Sequence, residues 1–377
     1  MKRRVVVDYK SYLRLFPSQR CRLRQESLKN ESNNPDSDDD NGSSDDEIST
    51  KVQSQQGTQL DRFEELYEVI CKKYKMENIS DLLLLSPARV PAYEMKTKQW
   101  GRVLINQLKP VNPDRTAFEL LRIDEDIKDL VNCLVQGHHS RVKDTFDDFT
   151  TSKGKGLVIL LHGPPGTGKT LTAESMAEQH ALPLYIVSGG ELSTDVSTVE
   201  ETLQSIFELC KRWGAILLVD EADVIMSTRK SAELERSAIV AVWLKLIEYY
   251  EGVVFLTSNL LEELDKAFMS RIHLSVELEA LDPTKRAAIW KNIIEFNQEV
   301  VNMKAWEPEI YAILGGLEVN GRVIKNLVRI AVFYARSKGD DTRLSPHHLA
   351  TVMKAELSKD KNIKKVVDQI KQLTIGS

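Results

Sequence analysis

The stretch Gly163-Pro164-Pro165-Gly166-Thr167-Gly168-Lys169-Thr170 decides how this chain is read. It follows a continuous apolar run, 157–161, of the kind expected for a strand buried on both faces. A helical pattern over 171–180, opening on Leu171, comes directly after it. Glycines in such a loop let the backbone wrap closely around an anion, because no Cβ obstructs and positive φ is allowed. The loop N–H groups and the helix N-terminus then face the bound anion. The string matches the phosphate-binding pattern GxxxxGK followed by Ser or Thr. Residues 163–171 are therefore expected to cradle a nucleoside triphosphate such as ATP. Lys169 would reach its β- and γ-phosphates, and the Thr170 hydroxyl would ligate Mg2+.

Working outward, further buried strands are expected at 184–187, 215–219, 253–257 and 274–278, separated by helices near 198–213 and 232–249. Alternating strand and helix predicts an α/β core with a parallel sheet flanked by helices, over 145–280. After Leu281 the strands stop. Asp282-Pro283 reads as an N-cap with proline at the first helical position. Helices are expected through Phe296 and near 307–315, 321–337 and 345–357, forming a small all-helical lid over 281–357 with a tail at 358–377.

A second constellation is Ile216-Leu217-Leu218-Val219-Asp220-Glu221. A buried strand ending in two carboxylates places them at the carboxyl edge of the sheet, where the glycine loop also opens. Asp220 would hold Mg2+, directly or through water. Glu221 would polarise the water that attacks the γ-phosphate.

GPPGTGKT followed by LLVDEAD resembles the AAA family of ring-forming ATPases, and the likeness covers about 145–357. The chain looks closest to a group of fungal AAA ATPases, and residues 1–24 and 80–135 are similar to the upstream segment those proteins carry. The resemblance implies roles for three further residues. Asn259, after the fourth core strand, matches the sensor position that orients the lytic water. Arg271 matches an arginine that points into a neighbouring subunit's ATP, which in turn implies a homo-hexamer. Arg322, opening a helix of the lid, matches an arginine that touches the γ-phosphate and couples lid angle to nucleotide state. Arg236 could also face a neighbour. Where unfoldases of the family place a pore-lining aromatic, this chain has Gly189-Gly190-Glu191-Leu192-Ser193-Thr194-Asp195, with Leu192 its one apolar side chain. Asp220-Glu221-Ala222-Asp223 spells a helicase box, but the glycine loop, the Asn259 strand and the helical lid all resemble AAA. The leading expectation is an ATP hydrolase that remodels a macromolecular partner. A slow or non-hydrolysing ATP-gated assembly module and a nucleic-acid remodeller are the other readings.

Composition narrows the partners. The 377 residues are 42% hydrophobic and 28% charged, with a net charge of −5, which gives no overall attraction to nucleic acid or to an anionic membrane. The four cysteines, Cys21, Cys71, Cys133 and Cys210, lie far apart, so reduced structural thiols are expected rather than a zinc site. No apolar run is long enough to span a bilayer. The basic N-terminus superficially suggests a transit peptide, yet 5–9 reads as a strand, and a cytoplasmic or nuclear location is the default. Residues 1–24 are expected to be a remnant of an upstream domain. Residues 25–59, with Asp36, Asp38, Asp39, Asp40, Asp45, Asp46 and Glu47, read as a disordered acidic linker, and 60–144 as a lead-in to the core with helices expected over 63–74 and 118–134 and a short strand at 100–105.

Overall fold

The computed structural model describes residues 3–15, 88–139, 155–192, 196–226, 234–264, 266–339, 342–358 and 363–375. The acidic linker, and the helix expected from Phe63 to Tyr74, lie outside them. The chain divides into two units, Met1–Pro110 and Val111–Ser377.

The first unit carries strand β1 (Val5–Val7), helix α1 (Tyr9–Leu15), and strands β2 (Arg89–Glu94) and β3 (Gln99–Leu104), in one antiparallel sheet of order β1-β2-β3. The sequence showed β3 but not β2, whose Pro91 argues against a central strand. The register explains the tolerance. Pairing with β1 runs only from Ala92 to Glu94, so at Pro91 the strand has no neighbour on that side and no ladder bond is lost. Trp100 meets Tyr12 and Tyr93 edge-on, with ring centroids 5.7 and 5.2 Å apart, which ties α1 to the sheet.

The second unit opens with helices α2 (Thr116–Glu119) and α3 (Glu125–His139), where one helix over 118–134 was expected. The break has a local cause. Asp124 Oδ1 accepts the Asp126 and Ile127 N–H groups at 3.0 and 3.4 Å and so caps a new helix. The core follows as β4 (Leu157–His162), α4 (Lys169–Gln179), β5 (Leu184–Ser188), α5 (Val196–Trp213), β6 (Ile216–Asp220), α6 (Asp223–Met226), α7 (Leu234–Tyr249), β7 (Val253–Ser258), α8 (Lys266–Met269) and β8 (Leu274–Glu277). The five strands are parallel in the order β5-β6-β7-β4-β8, as the alternating pattern predicted. Leu157, Ile159 and Leu161 pack with Val253 and Phe255 of β7 and with Ala173, Met176 and Ala177 of α4 on one face. Val131 and Val135 of α3 are buried in the same cluster, so part of the segment expected as a lead-in packs into the core. Helices α5 and α7 pack together, with Phe207 edge-on to Trp243 at 5.8 Å.

The lid comprises α9 (Pro283–Phe296), α10 (Pro308–Gly315), α11 (Gly321–Arg336), α12 (Pro346–Glu356) and α13 (Ile363–Ile375). Asp282 caps α9 by accepting the Lys285 N–H at 2.7 Å, with Pro283 in the first turn, as its dipeptide foretold. The stretch expected as a tail is corrected by α13. Ile363, Val366, Val367 and Ile370 recur at helical spacing and are buried with Trp290, Leu314 and Leu349 in the lid's core. Among the described residues no helix is long and apolar enough to cross a membrane.

One imidazole extends the β4–β8 ladder at its start. His273 Nδ1 accepts the Val158 N–H at 3.0 Å, while the His273 N–H donates to the Val158 carbonyl at 2.9 Å. Burial, aided by His138, holds His273 below the ordinary imidazole range, and burial does the same first of all for His162 and His348. The unfolded chain therefore binds more protons below about pH 6.5, where free imidazole titrates. Stability from these groups is complete above that pH and is lost as pH falls toward their folded values. Thermal unfolding is expected to give a progressively lower Tm from pH 7.5 to 5.5; an unchanged Tm would contradict this.

Candidate active site

Because the core strands are parallel, their carboxyl ends lie at one edge of the sheet. The glycine loop leaves β4, Asp220 ends β6 with Glu221 just after it, and Thr257 and Ser258 end β7 with Asn259 just after it. The register pairs Val219 with Leu256 and His162 with Ser258, which sets these three segments side by side.

The loop needs its first glycine for two reasons. Gly163 has φ +137°, and a Cβ there would collide with the carbonyl oxygen of Leu278 beyond β8. Thr167 Oγ1 donates to the Pro164 carbonyl at 2.9 Å, bracing the turn. Lys169, only 8% exposed, donates from Nζ to the Gly163 and Pro164 carbonyls at 2.7 and 2.8 Å, so its ammonium spans the loop. Burial lowers its pKa, Asp220 and Asp223 oppose that, and Arg322 reinforces it. That mutual repulsion places Arg322, on the first turn of α11, in the electrostatic field of the loop lysine. Leu171 is exposed on the first turn of α4.

Thr170 Oγ1 donates to Asp220 Oδ1 at 3.0 Å, bringing together the two expected Mg2+ ligands. Thr257 Oγ1 donates to the same oxygen at 2.5 Å and accepts the Glu221 N–H at 2.9 Å. Glu221 itself has φ +57°, the left-handed region, at a cost of about 1–3 kcal/mol for a residue with a side chain. The turn leaves its side chain exposed, beyond the end of β6. Gly189 lies against this turn: a Cβ there would collide with the Glu221 carbonyl oxygen. Asn259 is exposed one residue past β7, next to the pair formed by His162 and Ser258.

The lid reaches the loop directly. The Gly321 N–H donates to the Gly166 carbonyl at 3.1 Å, and Asn320 Nδ2 to the Pro165 carbonyl at 3.3 Å. Asn320 also caps α11 by accepting the Val323 N–H at 2.9 Å. One side chain thus fixes the start of the Arg322 helix and holds it to the glycine loop. A cleft of about 140 Å³ opens beside Thr167, walled by Arg122, Ile123, Asp124 and Ile127 from the segment before the core and by Leu278 and Lys285 near the lid.

Arg271 stands apart from this cluster. It follows α8, donating to the Glu248 carboxylate at 3.1 Å and the Ala267 carbonyl at 3.0 Å. The backbone of Arg236 lies in the first turn of α7. Gly189–Leu192 forms a 3-10 turn, and residues 193–195 of the expected pore segment are outside the described ones. Sequence reading missed Thr257, Asn320 and the cleft wall at 122–127. A threonine one residue before a strand's end and an asparagine before a glycine were visible signals, but their partners lie in other segments and became apparent only with the fold.

A nucleotide-phosphate loop between a parallel strand and a helix, with paired carboxylates on the adjacent strand and a helical lid, defines a P-loop nucleotide-binding core. Residues 159–280 match the family described as ATPase family associated with various cellular activities (AAA). Residues 159–280 thus form an AAA-family domain. It is 30% identical over 179 residues to human ATPase family AAA domain-containing protein 3B, covering 45% of this chain and 27% of that protein. It is 28% identical over 271 residues to human ATP-dependent zinc metalloprotease YME1L1, covering 68% and 33% respectively. A putative 26S proteasome regulatory subunit homolog from Methanothermobacter thermautotrophicus is 26% identical over 257 residues, covering 64% and 66%. The chain thus spans about a quarter to a third of the length of the two human relatives.

Proposed function

We propose that this chain binds ATP with Mg2+ at 163–171 and hydrolyses it to ADP and phosphate, in a ring of about six copies that remodels a macromolecular partner. The carrying observation is the 3.0 Å bond between Thr170 and Asp220, with Glu221 directly after it. A hydroxyl and a carboxylate oxygen are hard donors suited to Mg2+, so the donor set fits that ion. When held by Thr170 and Asp220, Mg2+ would supply positive charge to offset that developing on the β- and γ-phosphates. Lys169 neutralises the same phosphates from the loop side, and the cleft beside Thr167 is placed for the nucleotide base. Glu221, aided by Asn259, orients a water in line with the γ-phosphate and takes its proton as the bond to ADP breaks. Arg322 reads the γ-phosphate from the lid, and Arg271 of a neighbouring copy completes the charge around it.

The homo-hexamer rests on the family likeness and on the placement of Arg271 away from its own loop. The partner is a macromolecule of unassigned class, and an excess of acidic residues makes nucleic acid the less favoured choice. Replacing Lys169 by Ala is expected to weaken ATP binding about 100-fold, a loss of about 2.7 kcal/mol. Titration with a fluorescent ATP analogue measures it, and unchanged affinity would remove Lys169 from the phosphate site.

A further inference from the structure

Thr257 is a threonine that none of the roles above requires, yet it is 2% exposed and bonded to both carboxylate residues of the site. Its hydroxyl has one proton and two lone pairs. The proton goes to Asp220 Oδ1 at 2.5 Å, and a lone pair takes the Glu221 N–H at 2.9 Å. Its own carbonyl accepts the Ala222 N–H at 2.8 Å. Three consecutive residues, Asp220, Glu221 and Ala222, are therefore held by one residue on the neighbouring strand. The middle one is in the left-handed region, a conformation that persists only where its surroundings over-determine it. The turn is further confined by Gly189, which lies against the Glu221 carbonyl.

We propose that Thr257 is a positioning residue that couples the metal-binding and water-activating ends of the site. Through Oγ1 it fixes the carboxylate of Asp220 alongside Thr170, and through the Glu221 N–H it fixes the backbone from which the Glu221 side chain projects. This rests on the reading of Asp220 as a Mg2+ ligand and Glu221 as the base. A threonine is stiff at χ1, so the hydroxyl cannot satisfy one partner and drift from the other. Valine has the same shape without either bond. It would leave the Glu221 N–H without its protein partner and let the Glu221 turn relax toward the right-handed region. Groups that orient metal ligands in this way carry 10- to 100-fold effects on metal affinity or activity, and a displacement of about 1 Å at a reacting centre has a similar effect on rate.

The test compares the full chain with Thr257→Val and Thr257→Ser. A fluorescent ATP analogue is titrated in EDTA, Mg2+ is then titrated into the nucleotide-bound protein, and phosphate release gives kcat and KM. For Thr257→Val, affinity in EDTA is expected to stay within about twofold, because the loop is untouched. The Mg2+ concentration for half-saturation is expected to rise about 10-fold or more, and kcat to fall about 10- to 100-fold with KM changed far less. Thr257→Ser, which keeps the hydroxyl, is expected to return both quantities to within about threefold of the original. A Val variant with unchanged Mg2+ requirement and kcat overturns the proposal, as does a Ser variant as defective as Val. If Thr257→Val does not fold, Thr257→Ala replaces it in the same comparison. If the original chain binds Mg·ATP but releases no phosphate, the hydrolysis reading fails, and the Mg2+ titration still decides the role of Thr257. A chain that binds no ATP overturns both.

Discussion

Replacing Arg271 by Ala is expected to lower ATP turnover by about 10³-fold or more while ATP affinity changes by less than about threefold. An arginine supplied by a neighbour meets the γ-phosphate chiefly as charge develops in the transition state, so its loss falls on kcat. In the single chain its guanidinium is held by Glu248 at 3.1 Å, with both side chains about a third exposed, at 30% and 31%. A partly exposed pair of this kind is worth about 0–1 kcal/mol. A 10³-fold rate effect corresponds to about 4 kcal/mol of transition-state stabilisation, more than breaking the pair with Glu248 would cost. Phosphate release at saturating ATP, with particle mass measured alongside, checks it. Unchanged turnover at high protein concentration would remove the main support for a ring.

Glu221→Gln is expected to reduce turnover by about 10²- to 10⁴-fold with ATP still bound. Glutamine keeps the size and the N–H that Thr257 holds at 2.9 Å, so the turn at φ +57° survives while the proton acceptor is lost. ATP retained after gel filtration, together with a rate near zero, is the expected pair of results. Turnover equal to that of the original chain would sink the assignment of Glu221 as the base. The trapped protein is also the form in which to isolate a bound partner.

The core was legible because its signals are local. A continuous apolar run such as 157–161, short and closed by a glycine turn, reads as a strand covered on both sides, and the glycine loop after it has few other uses. The lid opened where Asp282-Pro283 said it would, for the same reason. What escaped was either a competing local signal or a partner far along the chain. Pro91 concealed β2, since the shortness of β1 is a property of the sheet and not of the Arg-Val-Pro-Ala string. The break between α2 and α3 was written in Asp124 but outweighed by apolar periodicity across it. The pattern Ile363, Val366, Val367, Ile370 was sufficient to suggest α13, and only its buried setting in the lid shows what it packs against. At the site, Thr170 and Asp220 were expected together and lie 3.0 Å apart. The contact of Asn320 with the loop needed the lid's placement, which no spacing rule supplies.

The most direct single measurement is the specific rate of phosphate release from Mg·ATP by the full chain as protein concentration is raised. A site completed by Arg271 of a neighbour predicts Mg2+-dependent release whose rate per chain climbs to a plateau as copies associate. A chain that binds ATP yet releases no phosphate at any concentration would contradict the account.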